Sequence, residues 1–244
     1  MRWLLAVPAP FIFAAAALTQ ANPTAEAILE RYEQVLGGRA AVEKVTTRYM
    51  KGVREFQASG HSGSWEVYDK LPNKWLTIHD GPSGITTVCT NDRIWWSLQP
   101  VDGFSERSIG DPPKIPALHR EVRLRETYVA LTLKGKEKVG DREAWRLDAT
   151  GPAGGVTKMY FDTASGLLLR RSQMQRISRR TGNEEPTHST VEITQDFEDY
   201  RDVDGVKIPF TIRNRGGMDY TTRYSEVRLN LSIPDSKFDK PAGY

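Results

Sequence analysis

Apolar and polar residues alternate in the stretch 206–213, near the end of the chain. Its apolar positions are Val206, Ile208, Phe210 and Ile212. A period of two is typical of a β-strand that has one buried and one solvent-exposed face. The turn-forming pair Asp204-Gly205 separates this stretch from a similar one at 190–200, so the two are predicted to form a β-hairpin.

The same β pattern recurs along most of the chain, with Gly, Pro, Asn, Asp or Ser at the breaks. The predicted strands cover residues 47–56, 64–69, 75–79, 85–90, 94–98, 136–139, 144–149, 157–162, 167–177, 190–200, 206–213 and 220–231. Short strands joined by tight turns are typical of an antiparallel meander. The chain is therefore predicted to be an α+β, mostly β protein, with about 11–12 strands in a strongly curved sheet that forms an incomplete barrel.

Two segments interrupt the β pattern and are predicted to be helical. In residues 23–36 the apolar positions recur at helical spacing, and Gly37-Gly38 follows as a helix stop. Residues 117–131 follow a predicted loop at 103–113 and again carry apolar stripes at helical spacing. The first helix precedes the whole sheet, whereas the second is inserted in its middle.

The N-terminus has the pattern of an export signal. Arg2 is the only charged residue before an apolar run at 4–18, which is too short to span a bilayer comfortably. Ala21 is suited to the last position before a signal-peptidase cleavage site. We therefore expect residues 1–21 to be a signal peptide and residues 22–244 to be one periplasmic or secreted domain, with an uncleaved anchor as the alternative.

Composition and charge narrow the choice of partners. Cys89 is the only cysteine, so no internal disulfide can form and no cysteine near the cleavage site can carry a lipid anchor. The formal net charge is only +3, but one segment contains Arg170, Arg171, Arg176, Arg179 and Arg180. An exported protein rarely meets nucleic acid, so we predict no nucleic-acid partner. The basic segment is either a solvated strand or a surface for peripheral contact with a membrane.

Signatures of catalysis or cofactor binding are missing from the sequence. The residues His61, His79, His119 and His188 are dispersed, without the spacing of a metal site. No serine lies in the Gly-x-Ser-x-Gly context of a hydrolase nucleophile, and the glycines at 151–155 lack the lysine and helix of a phosphate-binding loop. We predict a protein that is not an enzyme, with no metal, cofactor or catalytic residue.

The tryptophans are informative because most of them lie on predicted strands. Alternation with other apolar residues would turn several of them toward one face of the sheet. The candidates for the lining of a cavity are Trp65, Val67, Trp75, Ile94, Trp96, Leu98, Trp145, Leu147 and Phe210. Two interpretations stay open at this point: an ordinary filled core, or a cavity that holds an elongated acyl chain.

Several short motifs occur in an order typical of one family. They are Leu36-Gly37-Gly38, Lys44-Val45-Thr46 before a strand with Gly52, residues 135–144 (GKEKVGDREA), Tyr160-Phe161-Asp162 with Ser165-Gly166-Leu167, residues 204–210 (DGVKIPF) and residues 234–238 (PDSKF). Together with the export signal and the first helix, this order resembles the outer-membrane lipoprotein-sorting, or LolA-like, superfamily. The resemblance covers nearly all of the predicted mature chain and depends mostly on strands and turns.

The resemblance implies an incomplete, strongly bent antiparallel barrel whose apolar interior is covered by helices and receives lipid chains or other apolar ligands. The helices at 23–36 and 117–131 would form the cover, with Leu118, Val122 and Tyr128 as lid residues. The expected function is that of a periplasmic binding or carrier protein that shields a lipid or the acyl chains of a lipoprotein. The alternative is a regulatory or scaffold module that senses envelope components and binds a membrane-anchored protein. A large exposed apolar patch would favour that alternative.

Overall fold

The structure, a computed structural model, describes residues 22–91, 93–110, 113–179 and 187–243, so the predicted signal peptide at 1–21 lies outside the described residues. The helices are α1 (Ala25–Val35), α2 (Arg39–Glu43) and α3 (Leu124–Thr127), with 3₁₀ helices at Ala117–Val122 and Asp235–Phe238. The strands are β1 (Thr47–Phe56), β2 (Ser62–Lys70), β3 (Lys74–Gly81), β4 (Gly84–Asn91), β5 (Ile94–Gln99), β6 (Gly103–Ser108), β7 (Ala130–Val139), β8 (Arg142–Thr150), β9 (Val156–Asp162), β10 (Leu168–Arg179), β11 (Thr187–Val203), β12 (Val206–Arg215) and β13 (Tyr220–Leu229).

Thirteen strands form a single antiparallel sheet in the order β6-β5-β4-β3-β2-β1-β13-β12-β11-β10-β9-β8-β7. The first six strands run as a meander from the centre to one edge. The chain then crosses to the opposite edge and returns as a second meander, until β13 pairs with β1. Strands β6 and β7 are the two edges, so the sheet stays open. This confirms the predicted incomplete barrel.

Strand β6 was not expected, because the sequence predicted a loop at 103–113. Most of its side chains are exposed, among them Glu106 and Arg107, so the strand has no apolar face that could produce an alternating pattern. Its backbone nevertheless pairs with the whole of β5. An edge strand with charged side chains is a common way to discourage pairing with other chains.

The helix α1 agrees with the helical pattern at 23–36. Its first-turn cap is Thr24, whose side-chain oxygen accepts a hydrogen bond of 3.1 Å from the backbone N–H of Ala27. The apolar face buries Ile28, Leu29 and Tyr32 against the sheet.

The inserted helix is shorter than predicted. We call residues 113–129 the crossing segment; it contains the 3₁₀ helix Ala117–Val122 and the single turn of α3. The prediction of one helix over 117–131 is wrong at its end, because Ala130 already belongs to β7. There the backbone pairs with β8, and Leu131 packs against the core from a strand.

Two of the three apolar clusters formed by the described residues lie on opposite faces of the sheet. The larger cluster lies between the sheet, α1 and the crossing segment, and its fully buried members include Leu147, Met159 and Phe161. The smaller cluster, which includes Cys89, Trp96 and Phe238, lies under the C-terminal 3₁₀ helix. Burial raises the pKa of the Cys89 thiol to about 12, so it is an inert core group rather than a nucleophile.

Candidate ligand-binding cavity

A cavity of about 340 Å³ lies between the larger face of the sheet and the segments that cover it. Strands β1–β3 and β10–β13 contribute its wall. The cover consists of Tyr32 and Leu36 near the end of α1, Val42 and Val45, and Leu118 and Glu121 of the crossing segment. Its volume falls in the range of small-molecule sites.

Four of the predicted cavity or lid residues line this space: Trp65, Val67, Trp75 and Leu118. Val67 is directly opposite Met50 on β1 and Thr77 on β3, which also belong to the wall. These positions of β2 and of the first part of β3 share the phase that faces the cavity. The other lid candidates lie beside it: Val122 is buried in the core and Tyr128 is half-buried against the core.

The structure places Ile94, Trp96 and Leu98 away from the cavity. Trp96 packs in the smaller cluster on the opposite face, where its Nε1–H donates a hydrogen bond of 3.2 Å to the carbonyl oxygen of Phe238. Ile94 and Leu98 alternate in phase with Trp96, and Ile94 is 45% exposed. Apolar residues do alternate along β5. The face that carries Trp96, however, is covered by the C-terminal 3₁₀ helix and not by the segments that cover the cavity.

Three further candidates belong to the large cluster without lining the main cavity. Leu147 is fully buried and Phe210 is 6% exposed within the core. Trp145 lines a separate small space of about 60 Å³ against α1, together with Ala27 and Phe161. These residues are packing residues of the domain.

Arginine and acidic residues in the wall were missed by the sequence reasoning. Arg48 and Arg54 both line the cavity from β1, in phase with the buried Met50. Because Tyr49 and Val53 are apolar in the other phase of β1, the sequence held no clear signal for these arginines. Arg48 is ion-paired with Asp69 at 2.9 Å, whereas Arg54 has no acidic partner among the described residues.

Glu121 connects the crossing segment to both α1 and the sheet. Its carboxylate accepts hydrogen bonds from Arg171 Nη2 at 2.8 and 3.1 Å and from the Tyr32 hydroxyl at 3.0 Å. We call these three residues the Glu121 cluster. Burial alone would raise the pKa of Glu121, but Arg171 and Tyr32 outweigh it and hold this pKa below its usual value.

The Glu121 cluster corrects the interpretation of the arginine-rich segment. Arg171 is 20% exposed and bound to Glu121, and Arg170 forms a bidentate pair with Asp196 at 2.6 and 3.2 Å. These two arginines are therefore internal structural groups rather than parts of a basic surface. The side chains of Arg179 and Arg180 lie outside the described residues.

Additional polar contacts hold the crossing segment against α1, α2 and the loop that follows them. His119 Nε2 lies 2.9 Å from the carbonyl oxygen of Val45. Further along, Arg123 binds Glu43 at 2.7 Å, and Arg125 donates to the carbonyl oxygen of Glu26 at 3.1 Å. These polar bonds add to the apolar packing of Leu118, Val122 and Leu124 in holding the cover on the sheet.

His79 packs against Trp65, with their ring centroids 4.8 Å apart. Its Nδ1 is buried and has no hydrogen-bond partner among the described residues. Burial, and then the charge of Arg54, lower the pKa of His79 from 6.5 to about 4, although Asp80 acts in the opposite direction. His79 therefore binds a proton near pH 6.5 in the unfolded chain but only near pH 4 in the folded chain.

This difference predicts a loss of stability in mild acid. Between about pH 7.5 and about pH 5, the free energy of unfolding should fall by roughly 2 kcal/mol through His79 alone. Urea unfolding at a series of pH values measures it. The variant H79Q should flatten the profile in this window, whereas H188Q, at an exposed position, should leave it unchanged. Equal slopes in both variants would contradict the assignment to His79.

Among the described residues, no group of three or more His, Cys, Asp or Glu side chains could hold a metal ion. None of the helices in the described part of the chain is long and apolar enough to cross a membrane.

Comparison with solved structures defines the class of fold. The structure matches a LolA superfamily protein from Nitrosomonas europaea with a TM-score of 0.54 at 15% sequence identity, over 90% of this chain and 99% of that chain. It matches a DUF1329 family protein from Desulfovibrio piger with a TM-score of 0.56 at 13% identity, over 89% of this chain and 98% of that chain. The fold is therefore LolA-like, as the order of motifs predicted. No family model matches the sequence, and no curated protein matches it.

Proposed function

We propose that this protein is a periplasmic binding protein or carrier that shields an apolar ligand, a lipid or an acyl chain, inside the cavity. The covered cavity of about 340 Å³ is the observation that carries the proposal. Its wall contains large apolar side chains such as Met50, Trp75 and Phe197, which suit an alkyl chain. The LolA-like fold and the export-signal pattern of the sequence support the same function.

The size of the cavity favours one alkyl chain over several. A cavity of about 340 Å³ lies near the lower end of the range for small-molecule sites, about 300–1,000 Å³, which suits one chain better than several. Each buried methylene contributes about 0.8 kcal/mol, before the cost of ordering the ligand is subtracted. A medium-length chain can therefore bind usefully, whereas a lipid with three chains would need a wider opening of the cover.

The exposed apolar residues do not favour the regulatory or scaffold alternative. They are spread over β1, β4, β5, the β5–β6 turn, the end of β6, the crossing segment, β9, β10 and the β12–β13 turn. Among the described residues, the members in that order are Val53, Ile85, Ile94, Val101, Ile109, Val129, Val156, Met174 and Met218. Single exposed apolar residues are normal on a protein surface and do not define a docking patch.

Filling the cavity should abolish binding without unfolding the protein. In V67W the indole would project from β2 into the space beside Met50. We expect the affinity for a fluorescent fatty-acid probe to fall at least about tenfold, since the volume for several methylenes is lost. Titration of the probe measures this effect, and native mass spectrometry of the purified wild type tests for a lipid bound during expression.

The matched control is V53W on the neighbouring strand β1, at a position that is 50% exposed. It adds the same ring outside the cavity and should leave probe binding unchanged. If the wild type binds no probe saturably and carries no lipid, the carrier function is wrong. Equal losses in V67W and V53W would show that the probe binds elsewhere.

A further inference from the structure

Arg54 occupies an unusual position inside the cavity. Its guanidinium carbon lies 3.1 Å from the ring centroid of Trp65 and 3.8 Å from that of Tyr220. Its Nε donates a hydrogen bond of 2.9 Å to Thr222 Oγ1. Two aromatic rings and one hydroxyl therefore hold the guanidinium in a fixed plane within the wall.

The positive charge of Arg54 is uncompensated. Among the described residues no carboxylate lies within ion-pair distance of it, whereas the cavity's Arg48 and Glu121 are both in ion pairs. Burial is the main cause of the lowered pKa of Arg54, about 10, which means that the environment disfavours the charge. A half-buried cation without a counter-ion among the described residues costs stability, so its presence points to a ligand that supplies the missing charge.

The donors of Arg54 are also available. A guanidinium has five N–H groups, and within the described part of the chain the only hydrogen bond of this side chain uses Nε. Both terminal nitrogens are therefore left to donate to a ligand. A planar fork of this kind matches the two oxygens of a carboxylate or a phosphate. Close by, Trp65 is only 8% exposed, and its Nε1–H has no hydrogen-bond partner among the described residues.

The charged lining residues lie at different places along the cavity. Arg54 is directly opposite Thr222, near the end of β1 where Tyr220 also lies. Six residues earlier on β1, about 20 Å away at 3.3 Å per residue, Arg48 lies opposite Leu229 of the wall and is ion-paired with Asp69. In the cover, the charge of Glu121 is paired with Arg171. These charges are therefore compensated within the protein, whereas no carboxylate of the described residues forms an ion pair with Arg54.

We propose that the ligand is a single-chain amphiphile with an anionic head group, a carboxylate or a phosphate, and that Arg54 binds the head while the chain lies under the crossing segment. This inference rests on the proposed function and specifies its ligand class. Trp65 and Tyr220 position the guanidinium, and Thr222 fixes its rotation.

The test compares ligands that differ only in the head group. Dodecanoic acid, dodecyl phosphate and dodecanol compete with a neutral fluorescent naphthylamine probe for the wild-type protein. The two anionic ligands should bind about 10- to 100-fold more tightly than the alcohol, since a hydrogen bond to a charged group adds that much. Whichever anion binds more tightly identifies the head-group source, a fatty acid or a phosphorylated lipid.

Three variants assign the preference to Arg54. R54M should bind dodecanol within about threefold of the wild type but lose the preference for anions. R54K, which keeps the charge without the planar fork, should retain part of it. The control is R223M: Arg223 is opposite Val53, is 54% exposed and pairs with Glu55, so its loss should change nothing. R54M is also expected to melt at or above the wild-type temperature, because an uncompensated charge is removed.

The outcomes separate this inference from the proposed function. If the wild type binds the alcohol and the anions equally, or if R54M keeps the full preference, the role of Arg54 is wrong and the carrier function stands. If neither the probe nor any of the three ligands binds, the carrier function itself is wrong. Should R54M fail to fold, the head-group series on the wild type and R54K decides the question.

Discussion

Replacement of Glu121 by glutamine is expected to lower the free energy of unfolding by roughly 3 kcal/mol. The change leaves Arg171, only 20% exposed, with a charge that no other acidic residue of the Glu121 cluster can compensate. Removal of one partner from a buried ion pair typically costs about 3–5 kcal/mol, and the partial exposure of Glu121 places the estimate at the lower end. Urea unfolding of E121Q and of the wild type measures the difference.

A surface pair provides the control for E121Q. Glu30 is 67% exposed and lies 3.9 Å from Arg125, so E30Q should change the free energy of unfolding by less than about 0.5 kcal/mol. The double variant E121Q/R171M should recover part of the loss, because no unpaired charge is left. Hydrogen exchange of the crossing segment should increase in E121Q and not in E30Q. If E121Q is as stable as E30Q, the Glu121 cluster does not fasten the cover.

The alternation of apolar residues was enough to predict the sheet, because it depends on backbone geometry that repeats in every strand. The closing strand pair is an example: the predicted stretch 206–213 lies within β12, Val206–Arg215. Alternation shows that one face of a strand is buried, but not which layer buries it. The face of β5 that carries Trp96 was therefore assigned to the cavity, although a C-terminal segment 142 residues away in sequence covers it.

The crossing segment shows a different limit of local patterns. Apolar residues at helical spacing continue through Tyr128 and Leu131, but the chain between them leaves the helix. The backbone N–H of Val129 donates to the carbonyl oxygen of Thr150, and this bond begins the pairing of β7 with β8. Tertiary pairing with an available strand outweighs a local helical preference, which is weak for each residue.

The most informative residue of the candidate site could not be identified from sequence. Arg54 shares the phase of Met50 and Phe56 on β1, but Tyr49 and Val53 are apolar in the other phase, so the sequence of this strand does not show which phase is buried. The hydrogen-bond partner of Arg54, Thr222, is 168 residues away, and the lack of a carboxylate partner becomes visible only after folding. An ion pair and an unpaired buried charge look identical in a linear sequence, although only the second indicates a charged ligand.

The junction between α1 and the β11–β12 turn depends on a glycine with a close backbone neighbour. Gly37 has a φ of 115°, and a Cβ atom added there would overlap the carbonyl oxygen of Gly205. The junction is fixed by a hydrogen bond of 2.9 Å from the backbone N–H of Lys207 to the carbonyl oxygen of Leu36. Because both sides of the clash are backbone, G37A cannot be relieved by a side-chain rotation. We expect it to lower the free energy of unfolding by about 4 kcal/mol.

The neighbouring glycine gives the control. Gly38 also has a positive φ, 84°, but open space surrounds the position of its missing Cβ atom. G38A should therefore cost only about 1 kcal/mol, the conformational penalty of a left-handed alanine. The difference between the two variants isolates the clash with Gly205 from the effect of the backbone angle. Equal costs in G37A and G38A would mean that α1 does not dock on this turn, and the cavity cover would then be held by the crossing segment alone.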